Sequence, residues 1–263
     1  MNSNKLKVVV MTQSDKFFIP ANIRKASAVC DIVEIVQVNC KHSLDNKLKD
    51  YLKWFGFWQC AKMGVVSTWY KIKDIFDSIF SYRIHKGSHS IKGVAKYIKS
   101  PFRIITNSNS EEFVAHIRQL NPDLIISYSA PQIIKETLLS IPKYGIINVH
   151  GSLLPDYRGC FPSFWCLYND EKLGGATVHY MSAKIDDGAI IRQDSVDISE
   201  CKSMFQIMKK TKHLGGELMM KAIEDITNGT VNAIPNDTIK GRYFTWPTVE
   251  QGKDFRKKGK KLI

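Results

Sequence analysis

The sequence lacks several patterns that would place it in a well-defined class. Its six cysteines form no C-x-x-C pair and no metal-ligand spacing, so we expect no bound metal. No G-x-G-x-x-G follows the first predicted strand, which argues against a nicotinamide or flavin site. No apolar run has the length of a membrane span, and no signal peptide precedes the first strand. Free thiols in a reducing, cytoplasmic setting are the expectation.

What the chain does have is an ordinary globular composition with an unusual charge. Its 263 residues are 44% hydrophobic and 24% charged, which suits a domain with a substantial core. The formal net charge is +13. Such a charge favours anionic partners, namely nucleotide phosphates, the glutamate tail of a folate, nucleic acid or an acidic membrane, although a basic surface alone also explains it.

Strand and helix patterns alternate along most of the chain. Apolar, β-branched runs predict strands at 6–11, 31–38, 102–106, 123–127, 145–149, 175–181 and 189–193. Helical patterns occupy 17–28, 108–120, 132–139 and 203–227. This alternation predicts an α/β fold with a Rossmann-like, doubly wound, mostly parallel sheet. We assign 1–200 to the core and 201–263 to a C-terminal helix and basic extension.

Two segments do not fit the alternation. Over about 49–85, apolar residues recur at near-helical spacing with lysines between them, which predicts one or two inserted amphipathic helices. Gly56 and Gly64 weaken a single continuous helix. A flap packed on the core or on a second subunit is favoured over a face resting on a membrane.

The tail from residue 241 is aromatic and then basic. A solvated basic end is its simplest interpretation, and phosphate or nucleic-acid binding is the alternative. The insert and this tail are also the candidate surfaces for a homodimer.

The most informative segment is Asn148-Val-His150-Gly-Ser-Leu-Leu-Pro. Asn148 and His150 lie two residues apart at the end of a predicted strand, so their side chains share a face. An amide that holds a developing oxyanion beside an imidazole that takes a proton suits acyl transfer. A turn-capping amide and a core histidine are the alternative interpretations of these two residues.

This segment is followed by Gly175-Ala-Thr-Val-His179 and by Lys184-Ile-Asp186-Asp187-Gly188, and together they resemble the folate-dependent formyltransferases. Two separated motifs in the same order make the resemblance specific, most strongly over about 120–195. It implies the formyltransferase fold and transfer of a formyl group from 10-formyltetrahydrofolate to a primary amine, with no metal. It implies Asn148, His150 and Asp186 as the catalytic residues.

The resemblance also implies a folate pocket beside the catalytic residues. One side of this pocket is the end of the strand predicted at 123–127 and the residues after it. The other side is the loop at 184–188, where Asp and Gly equally suit an ordinary turn. The residues concerned are Tyr128, Ser129, Ala130, Lys184, Ile185, Asp187 and Gly188.

Two residues of the loop after His150 are candidates for contact with the acceptor substrate. Ser152 lacks the setting of a nucleophile elbow, so we expect its hydroxyl chiefly to shape the loop. Arg158 is a candidate partner for a substrate phosphate, and stabilising the loop is the equal alternative. A structural role is expected for His179.

The sequence identifies the acceptor amine less specifically than it identifies the reaction. The sugar N-formyltransferases resemble this core with a short C-terminal extension, so a nucleotide-linked amino sugar for a bacterial surface glycan (O-antigen) is the leading acceptor. Methionyl-tRNA formyltransferases carry a β-barrel after the core, whereas only about 60 residues follow residue 200 here, which disfavours nucleic acid as a partner. Glycinamide ribonucleotide formyltransferases resemble the core without the insert or the tail.

Two further functions stay open. Formyltetrahydrofolate deformylases, which are hydrolases, resemble this core. They differ in having Asn-x-His-His, where this chain has Gly151 after His150, and in carrying an N-terminal regulatory domain. A non-enzymatic, membrane-associated protein would use the insert and the basic tail. The combination of Asn148, His150 and Asp186 argues against that second function.

Overall fold

A mixed β-sheet lies at the centre of the computed structural model, which describes residues 5–39 and 44–263. Within these residues the strands are β1 (Lys7–Thr12), β2 (Asp31–Val38), β3 (Phe102–Ile105), β4 (Leu124–Tyr128), β5 (Ile146–His150), β6 (Arg158–Gly159), β7 (Leu173–Tyr180), β8 (Ile190–Asp197) and β9 (Tyr243–Phe244). Over this described part, seven strands form the main sheet in the order β3-β2-β1-β4-β5-β7-β8, and β6 pairs with β9 apart from it.

The main sheet is parallel from β3 to β5, and antiparallel where β7 joins β5 and β8 joins β7. The apolar β-branched runs of β1 and β4 are buried on both faces, as central parallel strands are when helices cover the sheet. The predicted doubly wound α/β fold is confirmed. The carboxyl ends of β1, β4 and β5 meet at one edge, where such sheets bind ligands.

Helices lie on both faces of the sheet and beyond it. Over the described residues they are α1 (Ile19–Ala26), α2 (Leu44–Phe55), α3 (Phe57–Ile79), α4 (Ile91–Ile98), α5 (Glu111–Leu120), α6 (Glu136–Leu139), α7 (Pro162–Tyr168), α8 (Met204–Asn228) and α9 (Val249–Lys257). No helix in this part of the chain combines the length and apolar character needed to cross a membrane.

Helix α8 packs on the sheet next to the carboxyl end of β5. Ser203 and Gln206 form a capping box at its start, and it ends at Gly229 in the left-handed conformation. These bounds agree with the helix predicted at 203–227. Gly215 lets the helix approach the sheet, because a Cβ there would lie 2.7 Å from Cγ2 of Val149 in β5. Helix α8 therefore shares the core of the strand that carries Asn148 and His150.

Two helices differ from the prediction. The helix predicted at 132–139 is reduced to α6, because Asn109 bonds the backbone of the preceding residues: it donates to the Ile133 carbonyl at 2.9 Å and accepts the Lys135 N–H at 2.8 Å. These bonds compete with the first helical turn. Helix α4, capped by the Ser90 hydroxyl, was not predicted.

The insert forms two helices rather than one. The chain breaks at Gly56, whose φ of 77° is in the region that favours glycine, and continues without a break through Gly64. Trp54 and Phe55 at the end of α2 are buried against the C-terminal region, whereas much of α3 faces outward. The favoured interpretation, a flap packed on the core, thus holds for α2 and for the inner face of α3.

The C-terminal tail is docked on the protein, whereas most of its basic side chains are exposed, as expected for a solvated basic end. Strand β9 pairs with β6, and α9 packs on α2. Phe255 is fully buried, with its ring 5.7 Å from that of Phe55. The Arg256 guanidinium donates to the carbonyls of Lys53 and Trp54. The basic residues of the tail thus lie mostly on the exposed face of a helix whose other face is apolar.

Candidate active site

Asn148 and His150 end β5 and project from the same face of the sheet, as their spacing predicts. Strand β7 runs antiparallel beside them, and its register places His179 directly opposite Asn148. His150 is buried and Asn148 is half-buried. The pairing of β5 with β7 therefore brings an amide and two imidazoles together at one edge of the sheet.

Asp186 reaches this group from the loop between β7 and β8. Its φ of 48° is left-handed, a conformation that aspartate tolerates better than most residues. One carboxylate oxygen, Oδ2, lies 3.5 Å from Nδ1 of His150 and accepts the Gly159 N–H at 2.9 Å. The other, Oδ1, lies 3.7 Å from Nε2 of His179. One carboxylate is thus flanked by two imidazoles.

The hydrogen bonds of His150 determine where it can take a proton. Its Nε2 lies 2.8 Å from the Tyr157 carbonyl oxygen, which can only accept, so Nε2 carries a hydrogen. In the neutral ring Nδ1 therefore presents its lone pair on the side of Asp186. A proton bound at Nδ1 would be stabilised by the adjacent carboxylate, which makes His150 suited to act as a proton acceptor.

In His179 the protonated nitrogen is Nδ1, whereas in His150 it is Nε2. Nδ1 of His179 donates to the Tyr180 carbonyl at 2.8 Å, which leaves Nε2 as an acceptor, and the Asn148 amide nitrogen lies 3.3 Å from it. Burial lowers the pKa of His179 to about 4, and the opposing charge of Asp186 offsets only part of this. A neutral His179 thus takes one N–H of Asn148 and fixes the amide, whose second N–H remains available to a substrate oxygen.

The implied folate residues lie on the two sides of this group. Tyr128 is buried in the core at 1% exposure, and its carbonyl accepts a hydrogen bond from the Thr12 hydroxyl at 3.0 Å, so its role in a folate pocket is to support the backbone that follows it. The Ser129 hydroxyl accepts a hydrogen bond from Lys212 at 2.8 Å, and Ala130 is half-buried beside it. Across the edge, the side chains of Lys184 and Ile185 are exposed.

Two residues shape the loop that carries Asp186. Gly188 allows the loop to approach the end of β7 closely, because a Cβ there would lie 1.9 Å from the Tyr180 carbonyl oxygen. The Asp187 carboxylate accepts a hydrogen bond from Thr238 at 3.1 Å. Both residues therefore act on the conformation of the loop rather than pointing freely at a ligand.

Ser152 and Arg158 are engaged within the protein. Ser152 is 1% exposed and donates to the backbone carbonyls of Asp156 and Tyr157, so it shapes the loop as expected. The Arg158 guanidinium donates to the Thr238 carbonyl at 3.1 Å, and its buried Nε has no hydrogen-bond partner among the described residues. The hydrogen bond to Thr238 thus supports the interpretation of Arg158 as a loop-stabilising residue.

Sequence reasoning missed three contributors to this site. His179 was assigned a structural role, Gly159 supplies a backbone N–H, and Asn236 donates to the Asp186 carbonyl at 2.9 Å. No local pattern marks them, because each depends on a pairing between distant segments. Burial raises the pKa of Cys160, next to this loop, and the charge of Asp186 adds to the effect, which disfavours a thiolate at this position.

Comparisons with known proteins agree with this geometry. The model of the formyl transferase family matches residues 87–223, just over half of the chain, which includes β4, β5, β7 and most of α8. The methionyl-tRNA formyltransferase of Acetivibrio thermocellus is 34% identical over 148 residues, which are 56% of this chain and 48% of that relative. This chain spans about half or less of the length of the curated relatives that it matches first.

Solved structures share the fold. A sugar N-formyltransferase from Shewanella sp. FDAARGOS_354 superposes with a TM-score of 0.57 at 20% identity, covering 91% of this chain and 76% of that one. WlaRD, a sugar 3N-formyltransferase solved with dTDP and 5-N-formyltetrahydrofolate, gives a TM-score of 0.59 at 17% identity, covering 96% and 79%. The family expected from the sequence is confirmed: this chain belongs to the formyl transferase family.

Proposed function

We propose that this chain transfers the formyl group of 10-formyltetrahydrofolate to the primary amine of a nucleotide-linked amino sugar. The observation that carries the proposal is the Asp186 carboxylate between the imidazoles of His150 and His179, with the Asn148 amide beside it. This arrangement offers a proton acceptor and an oxyanion donor within one group of residues. Acyl transfer to an amine needs both.

In the proposed reaction, 10-formyltetrahydrofolate supplies an electrophilic formyl carbon. A bond forms between this carbon and the amine nitrogen, and the bond to N10 of the folate breaks. Nδ1 of His150 takes the proton that the amine loses, and the 3.5 Å contact with Asp186 stabilises the resulting imidazolium. The same proton then passes to N10, so that a formamide and tetrahydrofolate leave and His150 is neutral again.

Asn148 serves the developing negative charge on the formyl oxygen. One N–H of its amide is held by neutral His179. The second would donate to the formyl oxygen. An amide fixed in this way needs no reorientation as the charge develops. His179 is therefore a positioning residue, which acts on the reaction through Asn148.

The loop at 184–188 combines a position beside the catalytic residues with a cationic and an apolar side chain, and both suit a bound folate. Its backbone lies beside the catalytic group, because Asp186 belongs to it. The exposed ammonium of Lys184 suits the acidic tail of a folate, and the exposed apolar side chain of Ile185 suits a flat ring. These residues would hold the folate, with the backbone after β4 opposite.

The amino-sugar acceptor is proposed from three observations. Two sugar N-formyltransferase structures share the fold over more than nine-tenths of this chain. The C-terminal segment reaches the catalytic loop through Asn236 and Thr238. The net charge of +13 suits a substrate that carries a diphosphate.

The test is the release of tetrahydrofolate from 10-formyltetrahydrofolate, with and without a panel of nucleotide-linked amino sugars. We expect release that depends on one of these sugars, with formation of its formamide by mass spectrometry. The variant His150→Ala should lose turnover while its circular dichroism stays that of the wild type. Full turnover in that folded variant would refute the assigned role of His150.

The other outcomes identify competing functions. Release without any amine would make the protein a deformylase. Formylation of methionyl-tRNA in place of the sugars would follow the 34% identical relative, and the charge of the chain makes this the second candidate. Either result would overturn the proposed acceptor.

A further inference from the structure

Helix α3 exposes an unusual amount of apolar surface. Trp58 is 77% exposed, Val65 is 71% exposed and Ile79 is 70% exposed. These residues belong to a set of exposed side chains that we call the α3 stripe, consisting of Phe57, Trp58, Val65, Trp69, Ile72, Ile75, Phe76 and Ile79. A contiguous patch of this kind marks an interaction surface rather than ordinary surface composition.

The α3 stripe is narrow and has basic edges. With 3.6 residues per turn, its members fall within an arc of about 120° along the whole helix. Lys62 follows one edge of this arc and Lys71 the other, and both are exposed. Lysines in these positions can extend their charged ends past an apolar layer in which the stripe is embedded.

The opposite face of α3 is fixed to the protein. The Tyr70 ring packs edge-on against Phe17 with centroids 5.0 Å apart. The Ser67 hydroxyl accepts a hydrogen bond from Lys16 at 2.9 Å. These contacts fix the rotation of the helix about its axis, so the stripe faces outward as a surface.

The acidic residues of α3 are turned away from the stripe. Asp77 is fully buried and accepts the backbone N–H groups of Ile84, His85 and Gly87. Asp74, half-buried, accepts the hydroxyl of Ser90 at 2.7 Å. The exposed side chains of α3 are therefore apolar, neutral or cationic.

We propose that the α3 stripe rests on the surface of an anionic phospholipid bilayer. Tryptophan and bulky aliphatic side chains on one face, with lysines along its edges, are the composition of helices that lie in a membrane interface. The surface continues beyond α3, where Phe80 and Ile84 are exposed together with Arg83 and Lys86. The surface thus offers burial in the acyl boundary and positive charge to the lipid headgroups.

Charge complementarity selects the bilayer over a second copy of this chain. If two α3 stripes met, the edges bearing Lys62 and Lys71 would face lysine edges in either relative direction of the helices. Facing lysines repel, and both acidic residues of α3 are committed elsewhere. An anionic bilayer supplies the missing negative charge. The inference does not depend on the proposed reaction.

The experiment is cosedimentation of the full chain with vesicles of phosphatidylcholine, alone or mixed with phosphatidylglycerol. The variant V65Q/I72Q removes apolar surface at exposed positions, and K62E/K71E reverses the basic edges. The matched control K209E/K221E makes the same charge change at two exposed lysines of α8. Circular dichroism establishes that each variant is folded, and light scattering on a sizing column gives its oligomeric state.

We expect the wild type to bind the mixed vesicles and not pure phosphatidylcholine, with a shift of tryptophan emission to shorter wavelength. K62E/K71E should bind at least about 30-fold more weakly, since each basic residue near an anionic surface contributes roughly a fivefold factor and the new carboxylates add repulsion. V65Q/I72Q should lose binding, and the control should keep most of it. No vesicle binding, or an equal loss in the control, would overturn the proposal. So would a dimer that V65Q/I72Q converts to monomers, which would assign the stripe to a second copy.

Discussion

The buried imidazole of His179 should make the stability of the fold depend on pH in a specific way. Its side chain is 2% exposed, and burial lowers its pKa from 6.5 to about 4. A proton on Nε2 would also face the Asn148 N–H, so that two donors would meet. The folded protein therefore resists a proton that the unfolded chain accepts.

The direction and size of the effect follow from these pKa values. Above pH 6.5 His179 is neutral in both states and contributes no pH dependence. Between pH 6.5 and about 4 the unfolded chain binds the proton and the folded chain does not, so the free energy of unfolding falls as pH falls. At about 1.4 kcal/mol for each pH unit, the loss reaches about 3 kcal/mol.

Urea unfolding of the wild type and of His179→Gln between about pH 7 and about pH 4.5 would measure this loss. Other groups titrate in both proteins, so the difference between the two curves isolates the imidazole. The wild type should lose roughly 2–3 kcal/mol more than the variant over this range. As a control, His213→Gln removes a histidine that is 67% exposed and should follow the wild-type curve. Parallel curves for the wild type and His179→Gln would refute the reasoning.

Four further predictions concern strand β5, the catalytic loop and the insert. Asn148→Ala should reduce kcat by about 10²–10³-fold, because it removes the proposed oxyanion donor, and steady-state kinetics with little change in KM would support this. Asp186→Asn should reduce turnover far more than Asp187→Asn, since Asp186 contacts His150 whereas Asp187 binds Thr238; equal losses would mean that the wrong carboxylate is assigned. Gly188→Ala should destabilise the fold by about 1–3 kcal/mol, because its Cβ would overlap the Tyr180 carbonyl. Thermal unfolding should instead show a gain of roughly 0.5–1 kcal/mol for Gly64→Ala, which has open space around it, and a loss there would contradict the helical geometry of α3.

Elements with a strong local pattern were predicted closely. Strand β2 occupies 31–38 as expected, and the long helix begins at its Ser203 cap and ends before Gly229. These features depend on β-branched runs, capping side chains and glycine, which act within a few residues of themselves. The shared face of Asn148 and His150 was predictable for the same reason, since a strand alternates its side chains.

Elements governed by distant contacts were not predicted. The short α6 results from hydrogen bonds to Asn109, more than twenty positions earlier in the chain. The tail is docked because Phe255 packs against Phe55, two hundred residues earlier in the chain. Composition shows that such residues are apolar or basic, and it does not show what they contact.

The sequence by itself determined the family, the alternation of strands and helices, and the three candidate catalytic residues with two of them on one face. The tertiary structure alone decided that His179 faces Asn148, that Asp186 lies between two imidazoles, and that the α3 stripe is left uncovered. The physical reason is that strand register, lone-pair direction and burial belong to pairs of segments far apart in the chain. Each segment carries only its own half of such a contact.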